Sequence, residues 1–318
     1  MKTVLLTGAG FTYNFGGYLA NEMWEKIFNH TQIKKYPKLT HITSTDFDYE
    51  SIYYKVHGDP QYCAEERKAI DTAVFDAYIS LDNQIKQTKY NNNSQPLIYP
   101  VNKTIEAFSG ELGGGGFFFT LNQDLYVERY FGSSNTKLHH PYIDNKNIWS
   151  IKDKDFWDDY NVKAPQNPLR HPESLKVLHF HYVKLHGSFN WKRSDGTNLM
   201  VMGQDKERQI AEEFLLTVYS DIFKKELRQE GVGLLVIGYR FADKHINEVI
   251  RDSMKNYGLK LAIVAPWQPG DFMQIQNDLS DNRPNEITKN YHPFPQKLSE
   301  LFVPNDDGWK RIRDIIFP

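Results

Sequence analysis

Residues 1–17 read MKTVLLTGAGFTYNFGG, and this stretch decides the fold class. The apolar run from Thr3 to Thr7 has the pattern of a buried strand and leads directly into the turn Gly8-Ala9-Gly10. Residues 11 to about 24 are compatible with a helix start. This order places backbone N–H groups and the positive end of a helix dipole at one point, which suits a pyrophosphate. The spacing is GAGFT and not the full GxGxxG, so an ordinary strand-to-helix turn is the alternative interpretation.

Composition limits the class of protein. The 318 residues have room for one large α/β domain or for one domain with an insertion, and the hydrophobic content of 40% supports a substantial core. The formal net charge of -2 does not indicate a global nucleic-acid-binding field. The single cysteine, Cys63, excludes intrachain disulfides and a four-thiolate zinc site. No long apolar run or signal peptide is evident, so we expect a cytoplasmic protein.

Apolar strand patterns alternate with helical periodicity along the chain. Helical patterns cover about 20–82, 207–229 and 244–257, and buried-strand patterns cover 117–121, 176–185, 233–237 and 260–265, the last of these predicted as the final strand. This alternation predicts an α/β fold, with a Rossmann-like, mainly parallel sheet covered by helices on both faces and a largely helical insertion.

We predict one domain over residues 1–318. Its Rossmann-like core comprises about 1–30, 100–131 and 176–265, with a helical insertion at about 31–99, an irregular excursion at about 132–175 and a C-terminal extension at about 266–318. Gly113 to Gly116 is interpreted as a flexible connector, because no Gly-Lys-Ser/Thr follows and the glycines lead into a strand.

Four predicted strands end in polar or glycine-containing sequences. These are Gly8-Ala9-Gly10, Asn122-Gln123-Asp124, His186-Gly187-Ser188 and Gly238-Tyr239. Ligands of open α/β sheets bind at the carboxyl ends of strands. If the strands are parallel, all four ends meet at one edge, and we expect a ligand site there.

The four motifs, in this order, resemble a known superfamily. GAGFT, TLNQD at 120–124, KLHGS at 184–188 and IGYRFADKHIN at 237–247 are similar to the Sir2 (sirtuin) superfamily, most of all to bacterial SIR2-like effectors of antiphage defence. Two features depart from the protein deacetylases. One cysteine cannot form their zinc module of two Cys-x-x-Cys pairs, and FGGYLA at 15–20 replaces their GIPDFR. A peptide-substrate cleft is therefore not expected.

The resemblance implies hydrolysis of NAD+ to nicotinamide and ADP-ribose, which depletes NAD+ in an abortive-infection response. It also implies a homo-oligomer and a separate sensor or activator, such as a HerA-type ATPase or a nucleotide-processing protein. Two alternatives stay open. One is an NAD-dependent protein deacylase, which the missing thiols disfavour. The other is a regulatory module that senses NAD or ADP-ribose without turnover.

Cleavage of the nicotinamide–ribose bond requires a grip on the pyrophosphate, an oriented ribose and a guided water. We predict Asn122 and His186 as catalytic residues. The amide can bond a ribose hydroxyl and a water, and the imidazole can take a proton near neutral pH. The predicted NAD-binding residues are Gly8, Ala9, Gly10, Phe11, Asp124, Gly187, Ser188, Gly238 and Tyr239.

Structural alternatives stand beside these roles. Asn122 would cap a helix starting near Asp124, and Asp124 would support the Asn122 loop or cap that helix itself. Asp243 would cap the helix over 244–257. His139-His140 is interpreted as a solvated loop pair. No metal site is predicted, because His179 and His181 lack a third ligand at a suitable position.

Overall fold

The computed structural model describes residues 2–90, 116–131, 138–141, 162–163, 180–193, 195–301 and 308–316. The strands in these ranges are β1 (Lys2–Thr7), β2 (Gly116–Thr120), β3 (Leu138–His139), β4 (Val162–Lys163), β5 (Phe180–Lys184), β6 (Gly187–Lys192), β7 (Asn198–Met200), β8 (Val232–Ile237), β9 (Lys260–Val264) and β10 (Tyr291–Phe294).

The helices begin with a run before β2 and continue between the later strands. They are α1 (Ala9–Tyr13), α2 (Ala20–Phe28), α3 (Thr31–Lys34), α4 (Pro37–Thr45), α5 (Tyr49–Gly58), α6 (Ala64–Tyr90), α7 (Tyr126–Phe131), α8 (Lys206–Ala211), α9 (Phe214–Leu227), α10 (Lys244–Asn256), α11 (Pro269–Leu279), α12 (Leu298–Leu301) and α13 (Gly308–Ile316). Across the described ranges, every helix falls short of the length or the apolar character that a membrane span requires.

Seven of the described strands form one sheet in the order β10-β9-β8-β1-β2-β5-β3, and each neighbouring pair is parallel. Thr7 lies opposite both Thr120 and Ile237, and Thr120 also lies opposite Lys184. The carboxyl ends of β8, β1, β2 and β5 therefore share one edge. The predicted α/β fold with a parallel sheet is confirmed. Strands β4, β6 and β7 form a second, small sheet.

Helices cover both faces of the large sheet, because successive strand residues point to opposite sides. Leu5 and Phe118 pack in a core cluster with α2 to α6, whereas Leu6 and Phe119 pack in a second cluster with α9 to α11. Strand β8 reads VGLLVI and is buried along its whole length. Such continuous apolar runs are typical of parallel strands covered on two faces.

The helical segment between β1 and β2 is organised around α6. The first turn of α6 carries Glu65 and Glu66, and Glu66 Oε2 accepts a hydrogen bond from Cys63 N at 2.9 Å. Buried apolar residues then recur at helical spacing, at positions 70, 74, 77, 81 and 85. Cys63 itself is a free, exposed thiol. The periodic pattern in this region thus forms the predicted helices.

Two sequence-based expectations are corrected. The strand at 260–265 is not the last one, because Tyr291–Phe294 pairs with β9 in parallel; the strand is short and contains Pro293, a residue that edge strands tolerate. His139 and His140 are not a solvated loop pair. His139 belongs to strand β3, and His140 is buried, with its Nδ1 donating to Tyr182 O at 3.0 Å. Gly113, His179 and most of the 132–175 excursion lie outside the described residues.

Candidate functional site

The glycine turn after β1 packs directly on the end of β8. Gly8 N donates to Ile237 O at 3.1 Å, and Gly10 N donates to Gly238 O at 3.0 Å. A Cβ on Gly8 would lie 2.7 Å from Gly238 O. Gly238 has φ +66°, and a Cβ there would lie 2.7 Å from Gly10 Cα. Glycines are thus required here for contact between two backbone turns.

This packing limits what the turn offers to a diphosphate. The N–H groups of Gly8 and Gly10 donate to the last residue of β8 and to Gly238 just after it, and Phe11 N donates to Gly8 O at 2.9 Å. Ala9 N–H, by contrast, donates to no residue in the described part of the chain. The predicted backbone contacts of Gly8, Ala9, Gly10 and Phe11 with a diphosphate stay a prediction, and among the described residues the N–H groups of Gly8, Gly10 and Phe11 already have protein acceptors. The Phe11 ring is buried and packs edge-on against Phe118.

Asn122 joins the end of β2 to the glycine turn. Its Nδ2 donates to Gly8 O at 3.0 Å and to Thr12 Oγ1 at 2.8 Å. The Asn122 side chain therefore does not cap a helix. Its Oδ1 accepts no hydrogen bond from any residue that the structure describes. This oxygen has two lone pairs and can accept from a ribose hydroxyl and a water.

Asp124 supports the Asn122 side chain indirectly, through Thr12. Its Oδ2 accepts from Thr12 Oγ1 at 3.0 Å, and its Oδ1 accepts from Tyr126 N at 2.9 Å, at the start of α7. Both structural roles considered for Asp124 are thus present. Burial raises the pKa of Asp124, and the charge of Lys184 acts in the opposite direction. Lys184 Nζ donates to Asp124 O and, at 2.8 Å, to Glu128 Oε1.

Asn122 and His186 follow neighbouring strands at the same distance. Thr120 in β2 lies opposite Lys184 in β5. Asn122 comes two residues after Thr120, and His186 comes two residues after Lys184. Gln123 connects the two segments, since its Nε2 lies 3.3 Å from His186 O. The structure therefore brings the two predicted catalytic residues to one part of the sheet edge.

Gly187 and Ser188 are the first two residues of β6. Gly187 has φ +73°, and a Cβ there would collide with the Leu199 carbonyl. The Ser188 hydroxyl is fully buried, 2.8 Å from Asn190 Oδ1 and 3.3 Å from Gln123 O. Both residues lie next to His186, but the Ser188 hydroxyl is satisfied by the protein itself.

A second imidazole lies against His186. The Nε2 atoms of His186 and His245 are 3.2 Å apart, so one nitrogen donates and the other accepts. Burial lowers the pKa of His186 to about 3 and also lowers the pKa of His245. Both rings are therefore neutral at pH 7. Sequence reasoning did not select His245, although it lies inside the quoted motif GYRFADKHIN.

Asp243 and Lys206 place charge beside the two rings. Lys206 Nζ lies 2.9 Å from Asp243 Oδ1 and 2.8 Å from Glu50 Oε2. Asp243 occupies the position before α10, but its side chain makes no capping bond, because it pairs with Lys206. Burial opposes ionisation of Asp243, yet the neighbouring His186 and Lys206 bring its pKa below the usual value.

The grouping has the residue types of a cation site. One atom each from His186, Asp243 and His245 lies within 4.8 Å of the other two. The Lys206 ammonium is already bound to the carboxylate, and its charge would repel a divalent cation. We assign no metal to this cluster.

A chain of hydrogen bonds reaches His186 from the helical segment. Tyr49 OH and Tyr78 OH are 3.3 Å apart, and Tyr78 OH donates to Gln123 Oε1. Gln123 Nε2 then contacts the His186 carbonyl. Tyr49 is followed by Glu50, so this chain and the ion pairs of Glu50, Lys206 and Asp243 both begin in the first turn of α5. No local sequence signal marked these residues, because their partners are distant in sequence.

Tyr239 stabilises the loop between β8 and α10, which positions His245. Its hydroxyl lies 3.0 Å from Asn247 Oδ1 and accepts from Asp243 N at 3.0 Å. Burial raises the pKa of Tyr239, so the hydroxyl stays protonated. Gly238 and Tyr239 thus shape the edge through protein contacts.

These features define a Rossmann-like α/β protein with its candidate site at the carboxyl edge of a parallel sheet. A family model described as a SIR2-like domain matches residues 116–292, more than half of the chain. The chain belongs to the SIR2-like family. This membership confirms the superfamily resemblance and supports an NAD-related activity in general, with NAD+ as substrate. The matched range contains Asn122, His186 and His245. A search of curated proteins finds no match to the chain.

Proposed function

We propose that this chain is an NAD+ glycohydrolase, which cleaves the nicotinamide–ribose bond to give nicotinamide and ADP-ribose. The observation that carries the proposal is the position of Asn122 and His186 at neighbouring strand ends, beside the glycine turn of a SIR2-like domain. Substrate binding alone would not require this pair of an amide acceptor and an imidazole.

The reaction makes modest demands on the protein. Nicotinamide leaves as a neutral molecule when the glycosidic electron pair moves onto its ring nitrogen, so no strong acid is needed. The site must hold the ribose, direct a water to the anomeric carbon and remove a proton from that water. Asn122 Oδ1 accepts hydrogen bonds from a ribose hydroxyl and the water, and His186 accepts the proton. Among the described residues of the turn, Ala9 N–H is the donor that no protein acceptor uses, and it is available to the diphosphate.

The cysteine content favours hydrolysis over protein deacylation. The chain has one cysteine, so it cannot form the four-thiolate zinc module of the deacetylases. We therefore take water, and not an acyl-lysine, as the acceptor of the ADP-ribosyl group.

We further propose a role in antiphage defence, in which the active protein depletes NAD+ as an abortive-infection effector. The proposal extends the family resemblance, and it includes a homo-oligomer and a separate sensor or activator, such as a HerA-type ATPase or a nucleotide-processing protein. Molar mass measured by light scattering, with and without NAD+, tests the oligomer. A monomer in both conditions would contradict it.

The decisive experiment follows nicotinamide release from NAD+ by the wild type and by Asn122→Ala and His186→Ala. Each substitution should lower turnover by about 100-fold or more. His57→Ala is the matched control, because this exposed histidine pairs with Asp71 in the helical segment. An acyl-peptide assay run in parallel tests deacylation. Wild-type NAD+ loss in His186→Ala would remove His186 from the reaction.

A further inference from the structure

His186 alone is a poor proton acceptor. His186 is 3% exposed, and burial lowers the pKa of its imidazole to about 3, so a lasting positive charge on the ring is unfavourable. His245 is half-buried, and its Nε2 lies 3.2 Å from His186 Nε2. The site thus has a second base within hydrogen-bond distance of the first.

We propose that His245 is the final proton acceptor of the site, and that His186 passes the proton to it through the Nε2···Nε2 hydrogen bond. The proposal rests on the proposed NAD+ hydrolysis and identifies an additional residue for that reaction.

The protons and electron pairs balance. In the resting site, His186 carries its proton on Nε2 and donates it to His245 Nε2. His186 Nδ1 has no hydrogen-bond partner among the described residues, so its lone pair is free to accept. As the water oxygen bonds the anomeric carbon, the C–N electron pair leaves with nicotinamide. One water proton moves to His186 Nδ1, and the Nε2 proton moves to His245. His186 ends neutral, and the positive charge resides on His245.

The charges around His245 suit this outcome. The Asp243 carboxylate lies within 4.8 Å of the ring nitrogen and attracts an imidazolium. Glu207 and Glu248 also favour a charged His245, whereas Lys206 opposes it. Glu50 partly offsets that opposition, because it pairs with Lys206 at 2.8 Å. Positive charge is thus better accommodated on His245 than on the more deeply buried His186.

The first test replaces His245 by glutamine, which keeps a polar side chain but cannot accept a proton at neutral pH. His245→Gln should lower kcat for nicotinamide release by about 100-fold and leave the KM for NAD+ within about twofold. Added imidazole should restore part of kcat in His245→Ala. His57→Gln, at an exposed His–Asp pair, should match the wild type. An unchanged kcat in a folded His245→Gln protein would overturn the relay.

The second test needs no turnover. Nitrogen-15 NMR of the histidine rings in wild type should show His186 protonated on Nε2 and unprotonated on Nδ1. Protonation on Nδ1 would overturn the relay. If the wild type neither binds NAD+ nor releases nicotinamide, the proposed function fails. An active wild type with an unaffected His245→Gln instead rejects the relay alone.

Discussion

The Glu50 carboxylate lies 2.8 Å from the Lys206 ammonium and thereby connects helix α5 to the sheet edge. Lys206 in turn lies 2.9 Å from Asp243, and these three side chains are between 11% and 28% exposed. Their ion pairs are therefore only partly screened by water. The Lys206–Asp243 ion pair holds in place the Asp243 carboxylate, which lies beside His186 and His245.

Lys206→Met tests this connection. The change keeps the aliphatic stem but leaves two carboxylates without their cation, so we expect a loss of about 2 kcal/mol in the free energy of unfolding. Lys55→Met is the control, because Lys55 is 49% exposed in its pair with Asp46 and should cost less than about 1 kcal/mol. Urea unfolding of both variants measures the difference. Equal losses of unfolding free energy in the two variants would show that the Glu50–Lys206–Asp243 network stabilises the protein no more than an exposed ion pair does.

Gly238→Ala should disrupt the contact between the two glycine turns. A Cβ at this position overlaps the backbone of Gly10 and Phe11, neither of which can rotate away. We expect a loss above about 4 kcal/mol or failure to fold. Gly231→Ala is the control that distinguishes backbone strain from steric overlap. Gly231 also has a positive φ, +71°, but a Cβ there would meet no atom within 4 Å. That control should cost only about 1 kcal/mol. Thermal unfolding compares the two.

Thr12→Val should weaken the support of Asn122. The Thr12 hydroxyl accepts from Asn122 Nδ2 and donates to Asp124 Oδ2, so its loss removes the donor of a buried carboxylate oxygen and one of the two bonds that hold the Asn122 amide. We expect about 2 kcal/mol of destabilisation and about tenfold slower NAD+ hydrolysis from a misplaced amide. Thr43→Val, whose hydroxyl bonds Leu39 O within its own helix, should change stability by less than about 1 kcal/mol. Full activity in Thr12→Val would contradict this role.

Stability should fall as the pH drops below 6.5. The pKa of His186 is lowered from 6.5 to about 3 in the folded protein, so the unfolded chain binds more protons in this interval. The contribution of His186 is fully present above pH 6.5 and decreases by up to about 1.4 kcal/mol per pH unit towards pH 3.

Urea unfolding of the wild type and of His186→Gln between pH 7 and pH 5 measures the contribution of His186 to the pH dependence of the free energy of unfolding. The charged groups that act on the imidazole pair, namely Asp243, Lys206, Glu207 and Glu248, are retained in both proteins. The wild type should therefore show the steeper dependence. Parallel curves would mean that His186 has the same pKa in the folded and unfolded states.

The sheet and its edge were predictable because their signals are local. Strands such as Val232–Ile237 are continuous apolar runs, and the polar residues that follow them mark the carboxyl ends. Strand β10 was missed because it is short and contains Pro293. The side-chain role of Asp243 was misjudged because a distant partner, Lys206, took precedence over the local capping rule.

The supporting residues of the site could not be predicted from one sequence. Glu50 and Tyr78 lie on helices whose patterns indicate only burial and solvent exposure. Their contacts with Lys206 and Gln123 arise when the helical segment packs on the sheet edge. The pairing of His186 with His245 likewise depends on how the loop after β8 is held by Tyr239.

Tyr49 and Glu50 are adjacent in α5, yet they reach His186 by two routes. Tyr49 is connected by hydrogen bonds to the His186 carbonyl, and Glu50 is connected through Lys206 to the Asp243 carboxylate, which lies within 4.8 Å of the ring nitrogen. A shift of this helix relative to the sheet would stretch bonds along both routes at once. The surroundings of the His186 imidazole are therefore linked to the position of a helix outside the sheet. Redesign of the first turn of α5 would have to preserve the contacts of both Tyr49 and Glu50 to keep the surroundings of the His186 ring unchanged.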